Sequence, residues 1–467
     1  MTLPPPNLLA GTDSTYAFSR GNVLPLVAAP WGHTHWTVET GDGAWFFDPK
    51  SPTMRGFRAT HQPSPWMGDW ASLTFLPYLG ATDGTSHHHD LLFFPDRMET
   101  CLDEGLSAEV EAFRLGAILR TTSTFSLRFA SWTGGIAIEA VPGGVVVALD
   151  GKFPAWYAFL GGEPTIDGDD VHGWDEEVRI GVSFVDAESA VRHAADPGES
   201  AADGWAEIFG RFRIDGDERD RRTFANCLYR AHLFPRDITE PDPAGGERHR
   251  SPYSGEVRKG PGMTDNGFWD TYRTVYPFLA LVHPERLARI LEGWTDAARA
   301  GGWFPQWASP GYRACMVGTH IDAVFADAAV KGIPIPPDAF GFLKKHTVER
   351  GDDAGSYGRR GIEEYRRQGW VPEGRTDHSV ARTLDYAYDD WCLARLAETL
   401  GEDPAEFDAR TTDYRHLWDP ETGFFRGKDA DGNWLEPWSP FRWGGPYVEG
   451  SAWQTAFAVP HDPDGLA

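Results

Sequence analysis

Residues 263–274 read Met-Thr-Asp-Asn-Gly-Phe-Trp-Asp-Thr-Tyr-Arg-Thr, which sets aromatic rings, a carboxylate and a guanidinium side by side. Trp269 and Tyr272 offer flat apolar faces to the C–H side of a pyranose, Asp270 accepts hydroxyl hydrogens, and Arg273 donates to hydroxyl or ring oxygens. These groups recognise sugars; the structural alternative is a helix start with two core aromatics and one ion pair. Four further stretches mix aromatic and polar groups at expected helix ends: 301–307 with Trp303, 318–322 with His320, 369–372, and 446–454 with Glu449. Taken singly, Trp303 reads as core, His320 as a helix-end partner and Glu449 as a first-turn carboxylate favoured by the helix dipole. Taken together they read as the rim of a pocket. Asp385 and Asp389 lie four apart and share one helix face. Such a pair can be a hydrolytic dyad, but inside a helical array it more often hydrogen-bonds loop backbone, and neither residue is assigned to chemistry.

Composition narrows the partners. The chain has 467 residues, more than one ordinary core organises, so two domains are expected. A net charge of −26 without dense Lys/Arg runs argues against nucleic acid and anionic membrane, and favours a neutral ligand. Twenty Trp, 14 Tyr and 28 Phe suit carbohydrate stacking or a large aromatic core. Cys101, Cys227, Cys315 and Cys392 are widely spaced and form neither a zinc motif nor a disulfide framework. No basic-then-apolar leader and no long apolar run appears, so the expected location is the cytoplasm, or outside the cell if the start of the protein is misassigned.

Short apolar runs at 123–132, 135–140, 144–149, 155–160 and 178–185, punctuated by Gly, Pro and Asp, predict a β-sandwich. Helical texture begins near residue 201, with expected helices at 205–212 and 223–234, followed by a polar loop over 236–262. The expected division is a sandwich domain over 1–204, linker helices and loop over 205–262, and a helical domain over 263–467. Within the last, the spacing predicts helices at 284–299, 321–331, 379–400 and 404–418, with Pro284 opening the first, Gly301-Gly302 ending it and Ser379 capping the third. Helices joined by loops rich in Gly, Pro and Trp suggest hairpin pairs arranged as a toroid around a central pocket.

Six blocks in order give the chain a resemblance to the glycoside hydrolase family 92 α-mannosidases over nearly its whole length. They are Gly11-Thr-Asp-Ser14 with Phe18-Ser-Arg-Gly-Asn22, the block from Arg55 to Asp69, Phe268-Trp-Asp-Thr-Tyr-Arg-Thr274, Met316-Val-Gly-Thr-His320, the block from Asp385 to Trp391, and Tyr447-Val-Glu-Gly-Ser-Ala-Trp-Gln454. The resemblance implies a β-sandwich packed on an (α/α)6 toroid, calcium dependence, and inverting exo-hydrolysis of terminal α-mannose on mannose-rich N-glycans and glycoproteins. It puts the general acid on Glu449, with Tyr447 and Trp453 as an apolar wall. Asp270, Trp269 and Arg273 would grip the terminal sugar, and Trp66 and Asp69 would complete the pocket, alongside Trp303 and His320.

Family members similar to this chain continue past the position of Ala467 through a calcium-associated block and a block supplying the base. The helical toroid is therefore expected to be incomplete here, with the calcium ligands and the base beyond Ala467. Trp434, Trp438, Trp443 and Trp453 are then expected to be exposed, with self-association through the unfinished toroid. Two other readings accompany the mannosidase: a catalytically silent glycan-binding fragment, and a glycoprotein N-glycan amidase, which needs a nucleophilic Cys with His and Asp partners.

Overall fold

A computed structural model describes residues 3–13, 23–41, 43–151 and 153–466. The Ser14 end of the first family block, and the Phe18 to Asn22 stretch, lie outside the described residues. The chain forms two compact units, one of residues 1–250 with 255–265, the other of 251–254 with 266–467.

The first unit is built on two antiparallel sheets. The six-stranded sheet runs in the order His35–Glu39, Gly56–Thr60, Leu73–Tyr78, Phe125–Ala130, Asp170–Trp174, Thr165–Asp167. In the nine-stranded sheet the strands Ile136–Val141, Gly144–Leu149, Ala155–Leu160, Glu177–Ser183, Gly116–Thr121, Ser107–Phe113 and Arg97–Leu102 neighbour one another in that order, and Ser86–Phe93 and Thr53–Met54 complete it. Phe159 joins the two faces, meeting Phe75, Phe129 and Trp174 of the other sheet with ring centroids 5.5, 4.8 and 6.4 Å away. That interlocking of inward faces makes the unit a sandwich. Helix Ala187–Ala195 lies on the nine-stranded sheet, with Asp186 accepting from the Ser189 amide at its start. A Cβ at Gly181 would sit 2.1 Å from the Ala190 carbonyl oxygen, so only glycine lets the helix come this close.

Helices Ala201–Gly210 and Glu218–Ala231 begin earlier than the sequence suggested and belong to this unit. Trp205 Nε1 donates to the Ala28 carbonyl at 2.7 Å and the Tyr229 hydroxyl to the Leu26 carbonyl at 2.6 Å. The polar loop expected over 236–262 contains a small sheet of Glu240–Pro241, Glu247–Arg250 and Val257–Lys259. Charged side chains masked the period-two pattern of these strands.

In the second unit, helix Pro284–Gly301 buries Leu287, Ile290, Leu291, Trp294 and Ala298, opens on proline and closes on Gly302 at φ +85°. Ile321–Val330 packs along Ser379–Leu400, and Val275–Val282 packs on both Pro284–Gly301 and Ile321–Val330. Ser379 is the first helical residue and not the cap; His378 holds the cap position, and Glu373 accepts from the Ser379 amide at 3.1 Å. The helix expected over 404–418 breaks into Ala405–Asp408 and a 3₁₀ turn, Asp413–Leu417. Between them the Thr411 hydroxyl bonds back to the Asp408 carbonyl, the local competition by which Thr interrupts helices. Trp443 and Trp453 are exposed, at 67% and 53%, whereas Trp434 and Trp438 are half-buried under the guanidinium of Arg426. No helix among the described residues is long and apolar enough to cross a membrane.

His33, His35 and His61 are fully buried in the first unit, and burial lowers the pKa of each below the ordinary 6.5. His61 stacks on Trp70 with ring centroids 4.4 Å apart and its Nδ1 meets the Trp70 carbonyl at 2.9 Å. These imidazoles stay neutral in the folded unit while the unfolded chain takes up protons near pH 6.5, so stability is full above that pH and falls below it. Hydrogen exchange of strands His35–Glu39 and Gly56–Thr60 is accordingly expected to accelerate between pH 7 and pH 5 after correction for intrinsic rates; unchanged protection would contradict the assignment.

Candidate functional site

The second unit contains a cavity of about 550 Å³ whose wall includes Trp269, Tyr272, Arg273, Asp385, Tyr388 and Glu449. Trp269 belongs to the short helix Phe268–Thr271, entered from strand Asn266–Gly267. A Cβ at Gly267 would lie 2.0 Å from the Trp307 ring, so glycine is what allows this strand to pass Trp307. The Arg273 guanidinium sits between two rings, 4.9 Å from the centroid of Trp269 and 4.5 Å from that of Tyr272. Such stacking fixes the plane of the guanidinium while leaving its N–H donors free for oxygen acceptors.

Asp270 is electrostatically joined to both Arg273 and Glu449. Burial raises its carboxyl pKa, Arg273 opposes the rise and the charge of Glu449 adds to it. Burial also raises the Cys315 thiol, and Asp270 and Glu449 raise it further. The segment around residue 270 and the loop around residue 449 therefore meet at one place. Glu449 itself is exposed and held at φ +45°, a backbone region a non-glycine residue enters at a cost of about 1–2 kcal/mol. Its turn is clamped on both sides. The Gly444 amide bonds to the Gly450 carbonyl at 2.9 Å, and Ser451 with Gln454 forms a capping box on helix Ala452–Thr455. Tyr447, expected to wall the glutamate, instead turns into the core and donates its hydroxyl to the Phe425 carbonyl at 2.8 Å.

His320 does not line the cavity. It is buried behind the wall, stacked on Tyr272 with centroids 4.3 Å apart, with Nδ1 at 2.8 Å from Asp389 and Nε2 at 3.4 Å from Asp385. Burial lowers its pKa, but the two carboxylates outweigh burial and hold it near 10. Trp303 is also away from the cavity wall, packed parallel to His346 at 6.0 Å and beside Tyr357 at 5.5 Å. In the first unit Trp66 is exposed and meets Trp45 edge-on at 5.7 Å. Asp69 has a fully buried carboxylate that accepts from Arg58, the Thr60 hydroxyl and the amides of His61 and Trp70, at 2.8–2.9 Å. Those bonds hold strand Gly56–Thr60 to the turn that follows it. Among the pocket residues, Tyr388 and Asp385 were not chosen from sequence as ligands, although the i,i+4 spacing of Asp385 and Asp389 drew attention to that helix face.

Calcium was expected from the resemblance. Among the described residues no group of three or more Asp, Glu, His or Cys side chains is arranged to hold a metal.

Stacking rings, carboxylates and a fixed guanidinium around a cavity, in a chain that joins a β-sandwich unit to a helical unit, define a carbohydrate-active protein. Residues 183–467 match the glycosyl hydrolase family 92 catalytic domain and residues 7–97 the family 92 N-terminal domain. An inverting family 92 mannosidase from Bacteroides thetaiotaomicron is 33% identical and superposes with a TM-score of 0.93, covering 99% of this chain and 71% of its own. A family 92 α-mannosidase from the same organism, solved with mannoimidazole, shares the fold at TM-score 0.85 and 22% identity, with the same coverage of both chains. An uncharacterized secreted glycosidase of Arthroderma benhamiae is 25% identical over 282 residues, 54% of this chain; the match spans about a third of that protein, 32%. The chain belongs to glycosyl hydrolase family 92, and it shares that family's β-sandwich and α/α-toroid fold.

Two outcomes test these placements. Selective ¹³C labelling of histidine should show His320 still protonated at pH 8. Because its folded pKa is raised, the stability it contributes is full below pH 6.5 and lost as pH climbs towards 10; a neutral imidazole signal at pH 8 would refute the ion triad. Asp69→Ala leaves Arg58 with Glu39 as its carboxylate partner and strips the acceptor from the Thr60 hydroxyl and the amides of His61 and Trp70, which should cost about 3–5 kcal/mol in urea unfolding, whereas a purely ligand-binding role predicts a small change.

Proposed function

We propose that this protein is an exo-α-mannosidase that removes terminal α-mannose from mannose-rich N-glycans and glycoproteins with inversion at the anomeric carbon. The observation that supports this reading is that Glu449, Arg273 and Trp269 line one cavity in a family 92 chain, with Asp270 beside them in the charge field of Arg273 and Glu449. Glu449 acts as general acid: its carboxyl gives a proton to the departing glycosidic oxygen as the C–O bond breaks. Inversion requires a second carboxyl on the opposite ring face, about 6.5–9.5 Å away, to take a proton from the attacking water. Trp269 stacks on the pyranose, Asp270 accepts from its hydroxyls, and Arg273 donates to its oxygens. The strained, clamped turn keeps the Glu449 backbone fixed while its side chain is free to meet substrate.

The amidase reading gains nothing from the geometry. Cys315, the thiol beside Asp270 and Glu449, has its pKa raised, the opposite of what a thiolate nucleophile needs.

Release of mannose from an unactivated α-mannobioside by the full-length protein should fall about 10²–10⁴-fold on Glu449→Gln, while sugar affinity stays within about tenfold. Near-normal turnover by that variant would place the acid elsewhere, and early appearance of α-mannose in proton NMR would exclude inversion.

A further inference from the structure

Asp385 and Asp389 stand one turn apart on helix Ser379–Leu400, and their oxygens have different fates. Asp389 is fully used. Its Oδ2 accepts from the Thr319 amide at 2.7 Å and the Thr319 hydroxyl at 3.1 Å, and its Oδ1 faces His320 Nδ1 at 2.8 Å. Asp385 meets the other side of the same imidazole, Oδ2 to Nε2 at 3.4 Å, and that oxygen is buried and accepts no hydrogen bond of normal geometry among the described residues. The side chain is nevertheless 19% exposed and lines the cavity, so its accessible part faces the cavity interior.

His320 lies between the two carboxylates, and both of its ring nitrogens donate when it is cationic. One buried cation therefore offsets two carboxylates that would otherwise repel, and the trio keeps a net negative charge beside the cavity. The same imidazole is stacked on Tyr272, another wall residue, with an interplanar angle of 22°. A carboxylate and an aromatic face of the cavity are thus set by one group that does not itself reach the ligand. Asp270 and Glu449 supply acceptors that couple to each other; Asp385 supplies one set by a different element.

We propose that Asp385 is a sugar-binding residue, accepting a hydrogen bond from a hydroxyl of the terminal sugar, and that His320 is the positioning residue that orients it together with Tyr272. This rests on the sugar-cavity reading above. An uncharged, hydroxyl-rich ligand fits: it donates to the accessible side of the Asp385 carboxylate, whose Oδ2 lies buried against His320, and brings no anionic group against the trio's charge.

The test is calorimetric binding of methyl α-mannoside, methyl α-glucoside and methyl α-galactoside, with the monodeoxy mannosides, to the wild-type chain, Asp385→Asn, His320→Gln and the double variant. Asp385→Asn should weaken binding of the preferred glycoside at least tenfold. One monodeoxy sugar should bind about tenfold more weakly than its parent to the wild type and equally well to Asp385→Asn. The double variant should bind no more weakly than Asp385→Asn alone, since His320 acts through Asp385. If the wild type prefers glucoside or galactoside and Asp385→Asn loses that binding, the proposal stands and the mannose reading falls. If mannoside binds Asp385→Asn as it binds the wild type, the proposal falls and the mannose reading stands. Binding of none of the three sugars overturns both. Should His320→Gln not fold, the His320 ring ¹³C shift in the wild type and in Asp385→Asn serves instead. A shift on sugar binding in the wild type that Asp385→Asn abolishes supports the positioning role, and a sugar-insensitive ring in the wild type overturns it.

Discussion

The buried charge network behind the cavity is the constraint on which the second unit depends. Arg359, with no solvent exposure, donates to Asp390 at 2.7 Å, to Asp322 at 3.3 Å and to the Thr319 hydroxyl at 3.1 Å. Asp322 also meets His346 at 2.8 Å, and Asp390 meets Arg410 at 3.1 Å. Desolvating so many ions is expensive, and the net contribution of such a network to stability is small; breaking one pair, however, strands a buried charge and costs about 3–5 kcal/mol. The network therefore acts as a register device. It ties helices Ile321–Val330 and Ser379–Leu400 to Thr319 of the preceding loop, and His320, next to Thr319, stands against Tyr272 and Asp385.

A second constraint concerns the backbone of Glu449. A left-handed conformation at a glutamate is retained only where its surroundings leave no alternative. Here the buried Tyr447 on one side and the Ser451–Gln454 capping box on the other leave none. Strain of this kind fixes the backbone of one cavity-lining carboxylate in an otherwise loop-built region.

Histidine plays opposite parts in the two units, for a reason that lies in the surroundings. His61 is enclosed by Trp70 and Phe184, with Arg236 among the charges acting on it, and the neutral form is favoured. His320 is as deeply buried, yet two carboxylates keep it cationic. Burial alone disfavours charge in both; the sign of the neighbouring charges decides the outcome.

Much was legible in the chain itself. Alternating apolar runs located strands Gly144–Leu149 and Ala155–Leu160, a 3.6-residue period with Pro284 and Gly302 located helix Pro284–Gly301, and the blocks around Trp269 and Glu449 marked the cavity. These are properties of neighbours in sequence, set by local propensity and side-chain chemistry. Which polar groups face the ligand was not local. Asp69 and Asp270 are both carboxylates beside a tryptophan, but Asp69 is used up by Arg58, Thr60 and two amides, and Asp270 stays exposed, next in the chain to the cavity residue Trp269. His320 and Asp385 are 65 residues apart by their numbering, and only the packing of two helices showed that one stands behind the other. A sequence specifies which side chains can hydrogen-bond; the tertiary structure decides which of them have already spent that capacity within the protein.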